Sequence, residues 1–286
     1  MKILVTGGDG FIMSHYKKAI KKEGHEFISY DLPDNDILDT GNLDCAIANC
    51  DAVLHSAAMA DLTVCIKELE KNHDVNVNGT FNVARLCAKH DKKLIFISTC
   101  CVYGNILDEI ALEDTTQPQA AEPYATSKVA GEAIIKGMPN LQYVILRIGT
   151  VYGVGMRPAL FTWIVLNAAR TGKKIFVDGD GLQTRQTIYI NDLIDGIVKA
   201  TVKLDDIMYQ TINLCGNTKI SALDCIVVAE KIIDKPVNFE HRIQRYGQTL
   251  DENISIEKAG KLLDWYPNTS FIDGMKYAYN NDGSFS

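Results

Sequence analysis

Ile3-Leu4-Val5-Thr6-Gly7-Gly8-Asp9-Gly10-Phe11-Ile12 opens this 286-residue chain and decides how the rest reads. Three apolar residues make a short buried strand. A glycine-rich turn follows at once, and a helical pattern then runs through Lys22. Gly24-His25-Glu26 turns the chain into a second strand, Phe27-Ile28-Ser29-Tyr30, which ends on Asp31. Strand, glycine turn, helix, strand and acid is the order of a dinucleotide-binding unit. Gly7 and Gly10 let the backbone approach a pyrophosphate, and the helix N-terminus at Phe11 and Ile12 favours its charge. Asp31 accepts from ribose hydroxyls and repels a 2′-phosphate, so the pattern favours NAD over NADP. The spacing also asks for a third small residue at position 13, where helix and strand pack. The chain has Met13 there. A shifted helix or small neighbours must absorb it, or the cofactor site weakens.

Asp51-Ala52-Val53-Leu54-His55-Ser56-Ala57-Ala58 reads as another strand. Ser56, Ala57 and Ala58 at its end let a flat ligand approach, and His55 reads as a structural histidine. Asp36-Ile37 falls in a short connection beside the place an adenine would take. Cys65 to Lys89 is helical in pattern but carries Asn76-Val77-Asn78, amides that disfavour a helix interior. Asn76 is expected to hold the cofactor loop. Leu94-Ile95-Phe96-Ile97 is a buried parallel strand that stops on Ser98-Thr99-Cys100-Cys101. Ligands bind at the carboxyl ends of such strands, so these hydroxyls and thiols point to the ligand crevice.

An irregular stretch from Asn105 to Pro123, with five acids (Asp108, Glu109, Glu113, Asp114, Glu122), reads as a surface loop bordering that crevice. Helix signals resume at Tyr124, and Lys128 falls four residues later on the same face. An ammonium beside a phenol lowers the phenol's pKa. With Thr99, the set makes a hydroxyl–phenol–ammonium relay suited to proton transfer at an alcohol or ketone. Tyr143 to Arg147 is the next strand, opening into Ile148-Gly149-Thr150. Asp178-Gly179-Asp180-Gly181 is a tight turn before Arg185. Asn191 or Asp192 is expected to cap a helix to about Lys203, and Ser221 another. His241, Arg242 and Arg245 form a basic cluster, and a last helical unit spans about Ser255 to Leu263.

Bulk properties narrow the function. A net charge of −7 argues against nucleic-acid or anionic-membrane partners. No apolar run approaches a membrane span, and the N-terminus lacks a signal peptide's apolar region, so a cytoplasmic protein is expected. The eight cysteines are scattered without metal-ligand spacing and read as reduced thiols, and no metal is expected.

The chain resembles, over nearly its whole length, the extended short-chain dehydrogenase/reductase family, in its nucleotide-sugar epimerase/dehydratase branch. The carriers are Thr6-Gly7-Gly8-Asp9-Gly10-Phe11-Ile12, His55-Ser56-Ala57-Ala58, Asn76-Val77-Asn78-Gly79-Thr80, Ser98-Thr99, Val102-Tyr103-Gly104, Pro123-Tyr124 with Lys128, Val151-Tyr152-Gly153, Gly179-Asp180-Gly181 with Arg185, and Tyr189-Ile190-Asn191-Asp192. The resemblance implies an α/β fold: a Rossmann-type doubly wound parallel sheet with a smaller C-terminal substrate lobe. Residues 1–153 would bind NAD, with segments near 186–215 returning to that domain, and 154–286 would mainly grip a nucleoside-diphosphate sugar. It adds Asn76, Ser98, Tyr124 and Lys128 to the NAD contacts. It makes Tyr124 the acid/base, sets Lys128 on the nicotinamide ribose, and puts Thr99 on the reacting sugar oxygen. Arg185 and Arg245 would meet the pyrophosphate, the alternative for each being a surface salt bridge. A homodimer through helices near 65–90 and 124–137 is also implied.

The residues after Thr99 separate the reactions of that branch. Its 4,6-dehydratases carry Asp-Glu there, whereas this chain has Cys100-Cys101. Its 4-epimerases carry small or neutral residues. Its 3,5-epimerases and epimerase-reductases put a cysteine at the position of Cys101, working with a histidine or lysine. After Gly153 this chain offers only Arg157, a poor base. Cys100 and Cys101 are thus either small packing residues or thiol acid/bases. Thr150 departs from the asparagine that many sugar epimerases use to touch substrate. The expected activity is a 4-epimerase on a UDP-sugar, working through a transient 4-keto sugar. The alternatives are a thiol-assisted dehydratase or 3,5-epimerase/reductase, and a non-catalytic NAD-binding protein.

Overall fold

The computed structural model describes residues 1–106, 109–245 and 247–285. Asp108, one of the acids read in the 105–123 loop, lies outside them. The first half runs β1 (Lys2–Thr6), α1 (Phe11–Lys22), β2 (Glu26–Tyr30), α2 (Thr40–Ala48), β3 (Ala52–His55), α3 (Leu62–Lys67), α4 (Leu69–His73), a π-helical turn at Asp74–Asn78, α5 (Gly79–Lys89), β4 (Lys93–Thr99), a 3₁₀ turn at Cys100–Tyr103 and α6 (Pro123–Gly137). The second half runs β5 (Tyr143–Ile148), β6 (Val151–Tyr152), α7 (Phe161–Thr171), β7 (Ile175–Asp178), β8 (Thr184–Arg185), β9 (Ile188–Tyr189), α8 (Ile190–Val202), β10 (Thr211–Leu214), β11 (Ile220–Ser221), α9 (Ala222–Ile233), β12 (Phe239–Arg242), α10 (Glu257–Leu263) and α11 (Phe271–Asn281).

Six strands form one parallel sheet in the order β10-β5-β4-β3-β1-β2. The chain steps outward from β1 to β2, then returns past β1 to β3. The strand order reverses direction between β1 and β3, and a crevice opens there at their carboxyl ends. Successive strand residues point to opposite faces, and both faces are buried, so the strands are apolar throughout. Ile3, Val5, Leu54, Ile95, Ile97, Val144 and Leu146 feed one core layer. Leu4, Val53, Leu94, Phe96 and Ile145 feed the other.

One charge pair is sealed beneath this sheet end. Arg147 of β5 donates to both oxygens of Glu132 on α6, from Nε at 2.9 Å and Nη2 at 2.6 Å. Ser98 of β4 donates to the same carboxylate at 2.7 Å. The guanidinium carbon lies 4.7 Å from the centroid of the Tyr103 ring, whose hydroxyl donates to Asn213 of β10 at 2.9 Å. The pair holds the Glu132 carboxyl below its ordinary range against the opposing pull of burial.

Three local expectations change. The stretch read as one helix from Cys65 is α3, α4, the π turn and α5 in succession. The extra residue of the π turn turns Asn76 inward, where its Oδ1 accepts from Met59 N–H at 2.8 Å and its Nδ2 lies 2.9 Å from Ser127 Oγ. Neither Asn191 nor Asp192 caps α8, whose N-cap is Tyr189. Asp192 lies in the first turn and accepts instead from the Asn268 and Thr269 amides, pinning the approach to α11. That helix follows α10, so the chain's last helical unit is later than Ser255–Leu263. Ser221 does cap α9, in a reciprocal capping box with Asp224.

Among the described residues, no helix is long and apolar enough to cross a membrane, and no group of three His, Cys, Asp or Glu is placed to hold a metal ion. Substituting Glu132→Gln strands a buried guanidinium, and urea unfolding should show a loss of about 3–5 kcal/mol. A loss below about 1 kcal/mol would contradict the burial argument.

Candidate active site

The carboxyl ends of β1 and β3 and the start of α1 border a cleft of about 860 Å³. Gly7, Gly10, Phe11, Ile12, Asp31, Asp36, Ile37, Ser56, Ala57 and Ala58 all line it. Gly7 has φ +67°, and a Cβ there would stand 2.8 Å from the Ala57 backbone, so the turn lies directly on β3's end. Gly10 caps α1 without a side-chain acceptor, which leaves the first-turn N–H groups of α1 for an incoming anion. Asp31 accepts from the Asp9 and Leu32 amides at 2.9 and 2.8 Å, which aims its carboxylate at the cleft's edge. These features fit a dinucleotide with free ribose hydroxyls. Met13 is fully buried in the core layer and borders the cleft. The core, rather than an open space at the turn, has taken up its side chain.

Behind the cleft runs a chain of hydrogen bonds. Thr80 Oγ1 donates to the Asn76 carbonyl at 2.6 Å, so it must accept from His55 Nε2 at 3.0 Å. His55 Nδ1 is then the acceptor for Thr6 Oγ1 at 2.7 Å. Thr6 Oγ1 in turn accepts from the Ser56 and Ala57 amides at 3.2 and 3.3 Å. Burial, then the nearby Lys128 charge, pushes His55 down to about 3. His55 is therefore a neutral strut that ties α5 to the ends of β1 and β3.

Ser98 and Asn76 do not line the cleft. Ser98 is fully buried on Glu132, and Asn76 holds the Met59 loop from behind. Tyr124 and Lys128 occupy the first two turns of α6. Lys128 Nζ donates to the Ile97 carbonyl at 2.9 Å and lies 4.7 Å from the Phe96 ring centroid. Burial pushes this ammonium down to about 8. The expected lowering of the Tyr124 pKa is absent from this arrangement. Burial, with Cys101, Glu122 and Cys65, pushes the phenol up, and the cation that opposes them is Arg157 rather than Lys128. Arg157 lines the cleft, 2.9 Å from the Ala60 carbonyl and 3.6 Å from Asp61. Arg157, a poor base and part of no motif, acts on Tyr124 through its charge.

Thr99 Oγ1 accepts from the Cys101 N–H at 3.2 Å, where β4 breaks into the 3₁₀ turn. Cys100 points away into a small cluster with Val102, Tyr103, Cys215 and Ile254. Cys101 is half-buried on the Thr99 side. Burial and Glu252 push its thiol up to about 11, while Thr99 and Arg185 pull against them. Burial also pushes the Cys100 thiol up, so both thiols favour the protonated state.

The residues expected to meet the substrate come from the second half of the chain. Thr150 is half-buried between β5 and β6, and its carbonyl accepts from Ile188 N–H at 2.9 Å. Arg185 is braced by its neighbour's carbonyl at 2.6 Å and by Glu252, 3.4 Å from Nε. Glu252, 2% exposed and bonded to the Gln186 amide, had no motif to announce it. Among the described residues, the buried Nε of Arg245 has no hydrogen-bond partner. The basic cluster divides: Arg242 pairs with Asp178 and His241 bonds the Gly179 carbonyl, leaving Arg245 apart.

Comparison with known proteins agrees with this geometry. The model of the NAD dependent epimerase/dehydratase family matches residues 3–215. A UDP-glucuronate 4-epimerase of Thermodesulfobacterium geofontis is 30% identical over 234 residues, covering 80% of this chain and 71% of that protein. The dTDP-D-glucose 4,6-dehydratase of Bos taurus is 26% identical, covering 96% of this chain and 86% of that one. The crystal structure of a UDP-glucuronic acid 4-epimerase from Bacillus cereus, in complex with UDP-glucuronic acid and NAD, superposes with a TM-score of 0.91 at 31% identity, covering 98% of both chains. The glycine turn on β3, the acid after β2 and a family model spanning the sheet agree, and the chain belongs to the NAD dependent epimerase/dehydratase family.

Proposed function

We propose that this protein is a nucleotide-sugar 4-epimerase that works on a UDP-sugar through a transient 4-keto sugar. The observation that carries the reading is the surroundings of Tyr124, where Cys101, Glu122, Cys65 and Arg157 act on the phenol, together with Cys100-Cys101 in place of an acid pair after Thr99. A 4-epimerase needs one proton acceptor at the C4 oxygen and nothing at C3 or C5. The relatives named UDP-glucuronate 4-epimerases at 30% and 31% identity put UDP-hexuronates at the head of the substrates to try.

In this reading residues 1–153, with 186–215, hold NAD, and 154–286 mainly hold the nucleotide-sugar. Bound NAD supplies the acceptor for the C4 hydride and the donor that returns it. Tyr124 takes the 4-hydroxyl proton and gives it back, and Thr99 orients the same oxygen. Lys128 reaches the nicotinamide ribose from the floor of the site. Arg185 and Arg245 take the diphosphate, which is supported by the unpartnered Nε of Arg245. Thr150 meets the sugar. A phenol held above its ordinary range favours the protonated state, so forming the phenolate that takes the 4-hydroxyl proton draws on the positive charge of Arg157.

The thiol-assisted alternative needs Cys101 as a base next to the ketone, and a thiol held up at about 11 disfavours it. We infer a homodimer through the outer helices, supported by the exposed Phe81 on α5 and by a hollow between Val77, Ala121 and Ala130. A cytoplasmic location is supported by eight cysteines that are all free.

Incubation with UDP-glucuronate, UDP-glucose and UDP-N-acetylglucosamine in D₂O, followed by NMR, tests the reading. The 4-epimer should form with C3 and C5 unexchanged. Deuterium at C5 would sink the 4-epimerase and implicate Cys101. Tyr124→Phe should lose about 10³-fold in kcat while retaining NAD. Cys101→Ala should keep more than about half of wild-type kcat, since a protonated packing thiol contributes little to the barrier.

A further inference from the structure

Glu122 stands immediately ahead of the Pro123-Tyr124 start of α6, and the mechanism above leaves it unused. Its side chain turns back onto its own helix. Oε2 accepts from the Tyr124 N–H at 3.0 Å and Oε1 from the Ala125 N–H at 2.8 Å. Its carbonyl takes the Thr126 amide and hydroxyl, each at 3.0 Å. Serine, threonine, aspartate and asparagine are the usual caps at such a position. A glutamate does the same work with a longer arm and brings a carboxylate, 9% exposed, to the backbone of the reacting tyrosine.

The other side of Glu122 meets the substrate lobe. Gly247, at φ +67°, packs so closely that a Cβ there would lie 2.5 Å from the Ala121 carbonyl oxygen and 3.1 Å from the Glu122 Cβ. Arg245, two residues earlier, is the cation whose field reaches the Glu122 carboxyl. Glu122 therefore lies between the segment that carries Arg245 and the helical turn that carries Tyr124.

We propose that Glu122 is a positioning residue for Tyr124, a buried carboxylate that sets the first turn of the catalytic helix and clamps it to the Arg245–Gly247 segment. The consequence for turnover rests on the epimerase reading of this site. The groups facing Tyr124 are Cys101 from the 3₁₀ turn, Cys65 from α3, Glu122 from its own cap and Arg157 from the loop before α7. Lys128, one turn along, is directed to the Ile97 carbonyl. Burial pushes the Glu122 carboxyl up, and its two amide donors and Arg245 pull it down. While ionised, Glu122 holds the phenol protonated, so removing its charge lets Tyr124 ionise at lower pH.

The test compares the NAD-loaded wild type with Glu122→Gln, Glu122→Ser and Glu122→Ala. The acid limb of the kcat/KM profile, on the UDP-sugar that the wild type turns over, should move down by about one pH unit in both Gln and Ser variants. Serine restores a cap without charge, so its melting temperature should stay near wild type while Ala falls and raises KM. A readout independent of turnover is the ¹³Cζ-tyrosine NMR titration of Tyr124, assigned with Tyr124→Phe, whose midpoint should fall in Gln and Ser alike. Midpoints and profiles that superimpose on wild type, whatever happens to melting, would overturn the proposal and leave Glu122 a plain cap. Should the wild type turn over no UDP-sugar, the epimerase reading fails, and the NMR midpoint still decides the role of Glu122.

Discussion

The Arg147–Glu132 ion pair is the constraint on which the site's geometry depends. It joins β5 to α6, and Ser98 adds β4 to the same carboxylate. Tyr103 and Asn213 extend the contact to the 3₁₀ turn and to β10. Five elements, among them β4 with Thr99 and α6 with Tyr124 and Lys128, are therefore referenced to one buried charge. Such a pair is no great source of stability, because both ions give up water to form it. Its value lies in geometry: a bidentate guanidinium tolerates little displacement of the helix that bears Tyr124.

A second polar strut, from Asn76 through Thr80, His55 and Thr6 to the Ser56 and Ala57 amides, does the same for the cofactor cleft. Its histidine is neutral and sealed, so the cleft's floor carries no titrating group from this source near neutral pH. The charged side chains lining the cleft are Asp31, Asp36, Glu70, Lys71, Asp74 and Arg157.

Local signals were readable from the chain because their physics is local. Gly7, Gly10 and Asp31 announce a turn, a helix start and a strand end within one short stretch, and the fold that follows needs only the usual right-handed crossovers. The Ser221 box and the alternation of buried strands are of the same kind. What could not be read were choices between partners distant in sequence. Ser98 ends the right strand, yet its hydroxyl is taken by Glu132 on α6. Lys128 shares a face with Tyr124, yet its ammonium is claimed by the Ile97 carbonyl and the Phe96 ring. Cys100 and Cys101 are adjacent, and the turn after Thr99 sends one into a packed cluster and the other towards the site. Met13 broke a spacing rule, and only packing shows the core absorbing it. Glu252 and Arg157 belong to no motif, and their weight appears only in contacts distant in sequence, Glu252 with Arg185 and Gln186 and Arg157 with Ala60 and Asp61.

The central claim is that a hydride leaves C4 of a UDP-sugar and returns to C4 while Tyr124 handles a single proton. The most direct measurement follows a UDP-hexose or UDP-hexuronate deuterated at C4 through turnover in ordinary water. The account predicts that the label stays at C4 in the epimerised product. Deuterium found at C6, or lost to solvent, would contradict it.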